Sequence, residues 1–320
     1  MVRCWDKEAR REVLSGPSNI LNLYEDRPAK WDAWDIDIFY ENQLQEQAHL
    51  DSWDRIEGPL RSILSFHFTI GESRIDQLVC LDRTSKRLDF ETQVSWRERH
   101  KMLRVAFFTT IISPSARFDI PFGTLERGTH RNTPWDRARF EVCAHRFADL
   151  SSGDYGVALL NDCKYGYKVL GSELNLNLLR SPTYPDPDAD LGDHTFTYSL
   201  LPHLGSLADS DVWAEAAQLN QPVELFEGFE ASSFRLPLMI EGEGIVYEVL
   251  KKAERDNSLI LRAFETRGCL ARATLKRNEA LDCFETDLME DSESEIEFEG
   301  DSSIIEFGPF EIKTIKAKRA

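Results

Sequence analysis

Residues 62–94 read SILSFHFTIGESRIDQLVCLDRTSKRLDFETQV, and three runs within them alternate apolar with polar side chains. The runs are Ser62–Ile70, Gln77–Leu81 and Leu88–Val94. Gly71 follows the first run and Asp82 follows the second. Alternation with a period of two over such short runs predicts β-strands that each bury one face. This stretch therefore predicts antiparallel strands that are joined by short turns.

The same pattern continues along most of the chain. Further predicted strands are Leu103–Thr110, Phe140–Ala144, Gly156–Leu160, Glu173–Leu179, Thr195–Leu200, Leu259–Glu265, Ala271–Leu275, Glu295–Glu299 and Ile304–Phe307. So many strands, with turn residues roughly every 8–12 positions, predict packed antiparallel sheets rather than βαβ units. We predict an all-β protein whose main part is a large antiparallel β-sandwich.

One segment has the pattern of a good helix, Asp209–Leu219 (DSDVWAEAAQL). Asp209 or Asp211 can act as its N-cap, and Pro222 ends it. This segment predicts a boundary between two domains. We expect a large β region at 1–208, a helical joint at 209–222 and a smaller β region at 223–320.

Composition and charge exclude several classes of protein. The chain has 320 residues, with 38 Lys and Arg against 56 Asp and Glu, which gives a net charge of −18. This negative charge disfavours nucleic acids and anionic membranes as partners. No apolar run approaches the roughly 18–20 residues of a membrane span. The first 13 residues, MVRCWDKEARREV, are charged throughout, unlike a secretory signal. We therefore expect a soluble cytoplasmic protein.

The six cysteines occur singly, without the paired spacing of a zinc site. We expect them to be reduced thiols and expect no metal site in this chain. They are Cys4, Cys80, Cys143, Cys163, Cys269 and Cys283.

The stretch at 26–40, DRPAKWDAWDIDIFY, is dense in indole and carboxylate groups. Trp31, Asp32, Trp34 and Asp35 lie within five residues, and indole faces beside carboxylates suit a sugar. The alternative is a loop whose indoles fill a core and whose carboxylates bond nearby backbone amides. Composition by itself favours that alternative.

The stretch at 128–149, GTHRNTPWDRARFEVCAHRFAD, combines histidines with charged groups. A histidine beside a carboxylate suits general acid–base catalysis, whereas Arg–carboxylate pairs suit a buried polar network. The network is the favoured interpretation. The residues in question are His130, Asn132, Asp136, Arg137, Arg139, Glu141, His145 and Arg146.

Three further segments leave alternatives open. Residues 159–171, LLNDCKYGYKVLG, predict a loop that either contacts a ligand or only joins two strands. The acidic segments at 181–194 and 290–299 are each predicted to be solvated turns or edge strand rather than cation sites.

Several of these stretches together resemble the C-terminal β portion of glycoside hydrolase family 38 α-mannosidases, in particular the cytosolic and vacuolar branch. They occur in order over essentially the whole chain. The stretches are DKEARREVL (6–14), LYEDRPAKWDAWDIDIFY (23–40), ERHKMLRVAF (98–107), FGTLERGTHRNTPWDRARFEVCAHRFADLS (122–151), YGVALLNDCKYGY (155–167), LLRSPTYPDPDADLGDHTFTYSLLPH (178–203) and FGPFEIKTIK (307–316).

The resemblance implies a supersandwich similar to galactose mutarotase, followed by a smaller sandwich. It also implies that the zinc ligands and the aspartate nucleophile belong to an N-terminal catalytic domain that nothing in this sequence matches. We therefore expect an N-terminally truncated fragment or split-gene product that has no catalytic residue and no zinc of its own. Its expected partners are an α-mannoside and the missing domain, and we expect self-association through the exposed domain interface.

The resemblance also points to residues of the sugar pocket. The family's Asn-Asp-x-x-x-Gly loop, here Asn161, Asp162 and Gly166, approaches the sugar. The indole and carboxylate residues at positions 31–35 are second candidates for the outer pocket. Two alternative functions stay open: a stand-alone carbohydrate-binding or scaffold protein, and an epimerase like galactose mutarotase that uses one of His130, His145 or His194 with a glutamate.

Overall fold

The structure is a computed structural model that describes residues 1–228, 235–291 and 293–319. The chain divides into two compact units. The first unit comprises Met1–Asp119 and Leu125–Val223, and the second comprises Ile120–Thr124 with the chain from Glu224 onward.

The strands up to residue 204 form three sheets, and the strand pairs described are antiparallel. They are β1 (Trp5–Asp6), β2 (Arg11–Glu12), β3 (Ile20–Glu25), β4 (Leu44–Gln47), β5 (His49–Glu57), β6 (Arg61–Ile70), β7 (Ser73–Asp82), β8 (Leu88–Trp96), β9 (Lys101–Phe108), β10 (Ser115–Ile120), β11 (Gly123–Gly128), β12 (Val142–Cys143), β13 (Phe147–Ser152), β14 (Tyr155–Asn161), β15 (Gly166–Leu170), β16 (Glu173–Arg180) and β17 (Gly192–Leu204).

Two of these sheets pack face to face. One has nine strands in the order β11-β10-β13-β14-β17-β8-β7-β6-β5, and the other has six in the order β12-β15-β16-β9-β3-β4. Phe90 of β8 and Tyr198 of β17, in the nine-stranded sheet, stack at 5.0 Å between ring centroids. Phe107 of β9, in the six-stranded sheet, meets both rings edge-on at 5.5 and 6.2 Å. This aromatic contact lies in the buried core between the sheets, so the predicted antiparallel sandwich is confirmed.

The second unit contains a three-stranded sheet, β18-β21-β24, and a five-stranded sheet, β19-β20-β25-β22-β23. Its core includes Leu275 from the first of these sheets and Leu261 and Ile315 from the second. The strands are β18 (Leu238–Gly242), β19 (Ile245–Lys252), β20 (Leu259–Glu265), β21 (Ala271–Arg277), β22 (Leu281–Thr286), β23 (Ser294–Glu295), β24 (Ser302–Phe307) and β25 (Ile312–Arg319).

The two α-helices among the described residues are α1 (Pro134–Ala138) and α2 (Val212–Asn220), and short 3-10 turns cover Ile38–Asn42 and Leu207–Asp209. Helix α2 begins three residues after the start expected at Asp209, because Ser206 and Asp209 cap the preceding 3-10 turn instead.

Three local expectations differ from the structure. Helix α1 was not expected; Thr133 and Asp136 form a capping box around Pro134 at its start, a T-P-W-D signature that is visible in the sequence. The strand expected at Phe140–Ala144 is only Val142–Cys143. The strand expected at Glu295–Glu299 is also short, Ser294–Glu295, in a segment whose residue 292 lies outside the described residues.

Candidate functional site

The candidate loops emerge at one end of the six-stranded sheet. Glu25, at the end of β3, lies opposite Lys101 at the start of β9. Arg180, at the end of β16, lies opposite Met102 of β9, and Gly166, at the start of β15, pairs with Asn177 of β16. The strand register therefore brings the loop after β3, the loop after β16 and the loop before β15 to the same end of the sheet.

Arg180 holds the loop that carries the two indoles. Its guanidinium donates hydrogen bonds to the carboxylate of Asp26, to the carbonyl of Asp32 at 2.8 Å and to the carbonyl of Asp35. Asp26 is only 2% exposed, and burial raises the pKa of its carboxyl although Arg180 acts in the opposite direction. Arg180 is the main organiser of this loop, although no motif in the sequence marks it.

The carboxylate of Asp32 joins the loop after β3 to the loop after β16. It accepts hydrogen bonds from the backbone amides of Thr183 at 2.7 Å and Tyr184 at 3.1 Å, and His100 Nδ1 lies 3.8 Å from it. Asp35 is exposed, and its carboxylate accepts one bond, from the Ile36 amide at 2.9 Å. Asp32 is therefore committed to positioning the loops, while Asp35 keeps acceptor capacity toward solvent.

The indoles of Trp31 and Trp34 face solvent, and each residue is 68% exposed. Trp31 has a positive φ of 58°, and its carbonyl accepts bonds from the amides of Trp34 at 2.7 Å and Asp35 at 2.8 Å. The alternative in which these indoles fill a core is wrong, since a tight turn presents them outward. The second part of that alternative, in which carboxylates bond nearby backbone amides, holds for Asp32.

Asn161 is the first residue of the loop at 161–166, and its side chain is buried within that loop. Its fully buried side chain donates to the carbonyl of His145 at 2.7 Å and to the hydroxyl of Tyr167 at 2.6 Å, and it accepts from the amide of Lys164 at 2.5 Å. These contacts use both donor hydrogens and one acceptor site of the amide. Asn161 therefore shapes the loop.

Asp162 has a carboxylate oxygen that is not used within the described residues. Oδ2 accepts from the amide of Thr197 at 2.8 Å, whereas the buried Oδ1 has no hydrogen-bond partner among them. Burial and the neighbouring Asp162 raise the pKa of the Cys163 thiol to about 11, so that thiol stays protonated near neutral pH. Gly166 allows close strand contact, because a Cβ at this position would lie 3.1 Å from Cβ of Asn177.

The polar network that was favoured over catalysis at 128–149 is present at Glu141, whereas His130, Asn132, Arg137, Arg139 and His145 are exposed. Glu141 accepts a bond from the Tyr40 hydroxyl and pairs with Arg104 at 3.0 Å. Burial raises the pKa of Glu141 although Arg104 acts against it. Of the two histidines in the stretch, His130 lies 3.6 Å from Asp136, and His145 packs against Tyr165 with ring centroids 5.7 Å apart.

His194 lies elsewhere, on an open groove that Glu72 also lines. Its Nε2 is 2.7 Å from the carbonyl of Asp190. Within residues 1–228, 235–291 and 293–319, no group of three or more His, Cys, Asp or Glu side chains is arranged to hold a metal ion. No described helix is both long enough and apolar enough to span a bilayer.

Two family models match the chain. Residues 1–188 match the model described as "Glycosyl hydrolases family 38 C-terminal domain", and residues 244–315 match "Glycosyl hydrolases family 38 C-terminal beta sandwich domain". The first model covers more than half of the chain.

The chain is similar to proteins named alpha-mannosidase. It is 37% identical to alpha-mannosidase G of Dictyostelium discoideum and 38% identical to alpha-mannosidase 2C1 of Mus musculus, each over 97% of this chain but only 30% and 31% of the relative. It is 31% identical to alpha-mannosidase of Saccharomyces cerevisiae, over 86% of this chain and 27% of that protein. The chain thus spans about a third of the length of the curated relatives it matches.

A solved structure supports the same fold. The crystal structure of an alpha-mannosidase from Enterococcus faecalis V583 superimposes with a TM-score of 0.78 at 17% identity, covering 98% of this chain and 40% of the other. That likeness concerns the fold, whereas the family models and the curated relatives concern descent. The chain belongs to glycosyl hydrolase family 38, to the C-terminal β portion of its members.

Proposed function

We propose that this chain is the C-terminal β region of an α-mannosidase that removes terminal α-D-mannose residues when the remaining portion is present. The observation that carries this proposal is the match of 97% of the chain to 30% and 31% of the length of two proteins named alpha-mannosidase. The chain itself supplies structural support and part of the sugar pocket.

The proposal assigns the chemistry to the portion that this chain does not span. A retaining glycosidase needs a nucleophilic carboxylate and an acid–base carboxylate about 5–5.5 Å apart. We propose that both carboxylates, and the zinc that holds the mannose hydroxyls, belong to that portion. We assign no reaction step to this chain's own residues.

The pocket wall that we propose consists of two loops at the same end of the six-stranded sheet. In the first, residues 161–166, the Asp162 carboxylate, whose buried Oδ1 has no hydrogen-bond partner among the described residues, is the acceptor that we propose for a sugar hydroxyl. In the second, Trp31 and Trp34 offer exposed indole faces and Asp35 an exposed carboxylate. Stacking on sugar C–H faces and accepting from hydroxyls is the chemistry that a neutral hexose requires.

The surface that we propose for the missing portion is an apolar sheet edge. All nine residues of β5 are exposed. Leu50 (42% exposed) lies opposite Phe68, Trp53 (61%) opposite Phe66, and Phe68 lies in turn opposite Ile75, which is fully buried in the core. Because residues opposite each other share a sheet face, the core-facing side of the nine-stranded sheet continues into an exposed apolar face. Such a face favours a protein partner, or self-association in its absence.

A cytoplasmic location is also part of the proposal. All six cysteines are free thiols in the structure, as is usual in a reducing compartment.

Complementation tests this function. The chain would be co-expressed with the portion of mouse alpha-mannosidase 2C1 that it does not match, and hydrolysis of an aryl α-mannoside would be measured with and without added Zn²⁺ or Co²⁺. We expect no turnover by either part and turnover by the pair, with a higher KM for Asp162→Ala than for the control Asp193→Ala.

Two results would contradict the proposal. Turnover by the isolated chain that is lost on substitution of one of its own carboxylates would reveal a separate active site. A stable complex of the two parts that remains inactive would show that the chain does not complete the enzyme.

A stand-alone carbohydrate-binding protein is the second candidate, and the outward indoles of Trp31 and Trp34 favour it. This function predicts that the isolated chain binds α-mannosides, with quenching or enhancement of tryptophan fluorescence that disappears in the Trp31→Ala/Trp34→Ala double variant. Binding by the isolated chain without complementation would favour this candidate over the enzyme part.

A further inference from the structure

A small pocket in the first unit has four basic side chains in its lining, although the whole chain has a net charge of −18. It lies beside β11, helix α1 and β15, and its cavity measures about 20 Å³. The basic side chains that line it are those of Arg127, Arg131, Arg139 and Lys168, and the lining carboxylate is that of Asp136. The pocket therefore has an excess of positive charge.

Two of the four cations are neutralised by carboxylates next to the pocket. Arg131 forms a two-pronged pair with Glu41, with both N–O distances at 2.7 Å. Lys168 lies between Glu41 at 3.6 Å and Glu173 at 3.5 Å. The positive charge that remains comes from Arg127 and Arg139.

Arg127 and Arg139 lack such partners among the described residues. The Arg127 guanidinium lies over the ring of Phe118, 4.6 Å from the ring centroid, and its buried Nη1 has no hydrogen-bond acceptor in the described parts of the chain. Burial, with a contribution from the neighbouring Arg139, lowers the pKa of Arg127. A buried N–H of a charged group that has no acceptor is costly, and a second cation nearby adds to that cost.

Asp136 offsets one of these two positive charges. Its carboxylate accepts bonds from the amide and hydroxyl of Thr133 at the start of α1, and it lies 3.6 Å from His130. Arg139 is exposed, and its charge helps to lower the pKa of Asp136 after the hydrogen bonds from Thr133. The pocket thus has two guanidinium groups and one carboxylate, which leaves an excess of one positive charge.

We propose that this pocket binds a small inorganic anion of halide size, chloride, between Arg127 Nη1 and the guanidinium of Arg139. An anion there gives the buried N–H an acceptor and separates two like charges. The cavity volume is close to that needed by one water-sized species, which suits a halide better than a phosphate or a sugar acid. The site is separate from the sugar loops at 31–35 and 161–166.

Chlorine NMR of the full chain tests this site. The chloride line is measured at fixed salt while protein is added, and binding with fast exchange broadens it. We expect broadening by the wild-type chain, competition by bromide, and loss of most of the broadening in Arg127→Met, which keeps the packing on Phe118 without the charge. Arg272→Gln, an exposed arginine of the second unit, is the control and should broaden the line as the wild type does.

Arg139→Gln is the second variant, because it tests the same site without changing the partly buried side chain of Arg127. Equal broadening by the wild type, Arg127→Met and Arg139→Gln would overturn the proposal. Displacement of chloride by phosphate at lower concentrations than by bromide would overturn the assignment to an anion of halide size.

Discussion

Replacement of Asn161 by alanine tests whether this residue of the family loop shapes the loop from within. The change removes three hydrogen bonds, to the His145 carbonyl, the Tyr167 hydroxyl and the Lys164 amide, at 2.5–2.7 Å. The Tyr167 hydroxyl keeps its bond to the Leu159 carbonyl. The His145 carbonyl and the Lys164 amide each lose their hydrogen bond to Asn161. At about 0.5–1.5 kcal/mol for each bond, we expect Asn161→Ala to lower the free energy of unfolding of the first unit by about 2–4 kcal/mol.

Tryptophan fluorescence measures this effect selectively. All seven tryptophans lie between residues 5 and 213, in the first unit, so their emission during urea unfolding reports on that unit alone. Asn132→Ala is the matched control, because Asn132 is exposed, and we expect it to stay within about 0.5 kcal/mol of the wild type. The slope of unfolding against urea should be equal in all three proteins.

Two outcomes would refute this account of Asn161. A loss below about 1 kcal/mol, similar to the control, would mean that the three bonds do not define the loop. Unchanged stability with complete loss of activity in the complementation assay would make Asn161 a direct contact to sugar instead of a positioning residue.

Three further predictions concern other parts of the chain. Trp53→Ser should reduce self-association while leaving the unfolding midpoint nearly unchanged, because Trp53 is 61% exposed; light scattering after size exclusion checks this, and an unchanged mass would contradict it. Gly156→Ala should destabilise the first unit by about 1–3 kcal/mol, because the new Cβ would lie 2.4 Å from the buried ring of His203. Urea unfolding followed by tryptophan fluorescence checks this, and a stability equal to that of the wild type would show that the ring can move away. Hydrogen bonds from Ser258 and a nearby lysine hold the pKa of Asp256 well below its usual range, so its contribution to stability is present above about pH 4 and is lost as the pH falls toward its folded-state pKa. The protection of the β25 amides, measured relative to the intrinsic exchange rate at each pH, should therefore fall less steeply on acidification in Asp256→Asn, and equal slopes would contradict this linkage.

The partners of the site residues explain why the sequence revealed only part of the site. Arg180 donates to acceptors at positions 26–35, which lie 145–154 residues away along the chain, so nothing near Arg180 in the sequence marks its role. The TPWD signature of helix α1, by contrast, involves residues three positions apart and was available to inspection. Local signals could be found in the sequence, whereas contacts between distant strands could not.

The sequence by itself determined the class of fold and the family. Alternation of apolar and polar residues acts through neighbours two positions apart, so it predicts strands without knowledge of their partners. Long stretches that resemble family members, in order along the chain, likewise indicated the family. Only the tertiary structure decided that Trp31 and Trp34 face solvent and that the Asn161 side chain is engaged in internal hydrogen bonds. It also decided that one carboxylate oxygen of Asp162 has no hydrogen-bond partner among the described residues. The physical reason is that exposure and hydrogen-bond partners depend on how strands from distant parts of the chain meet.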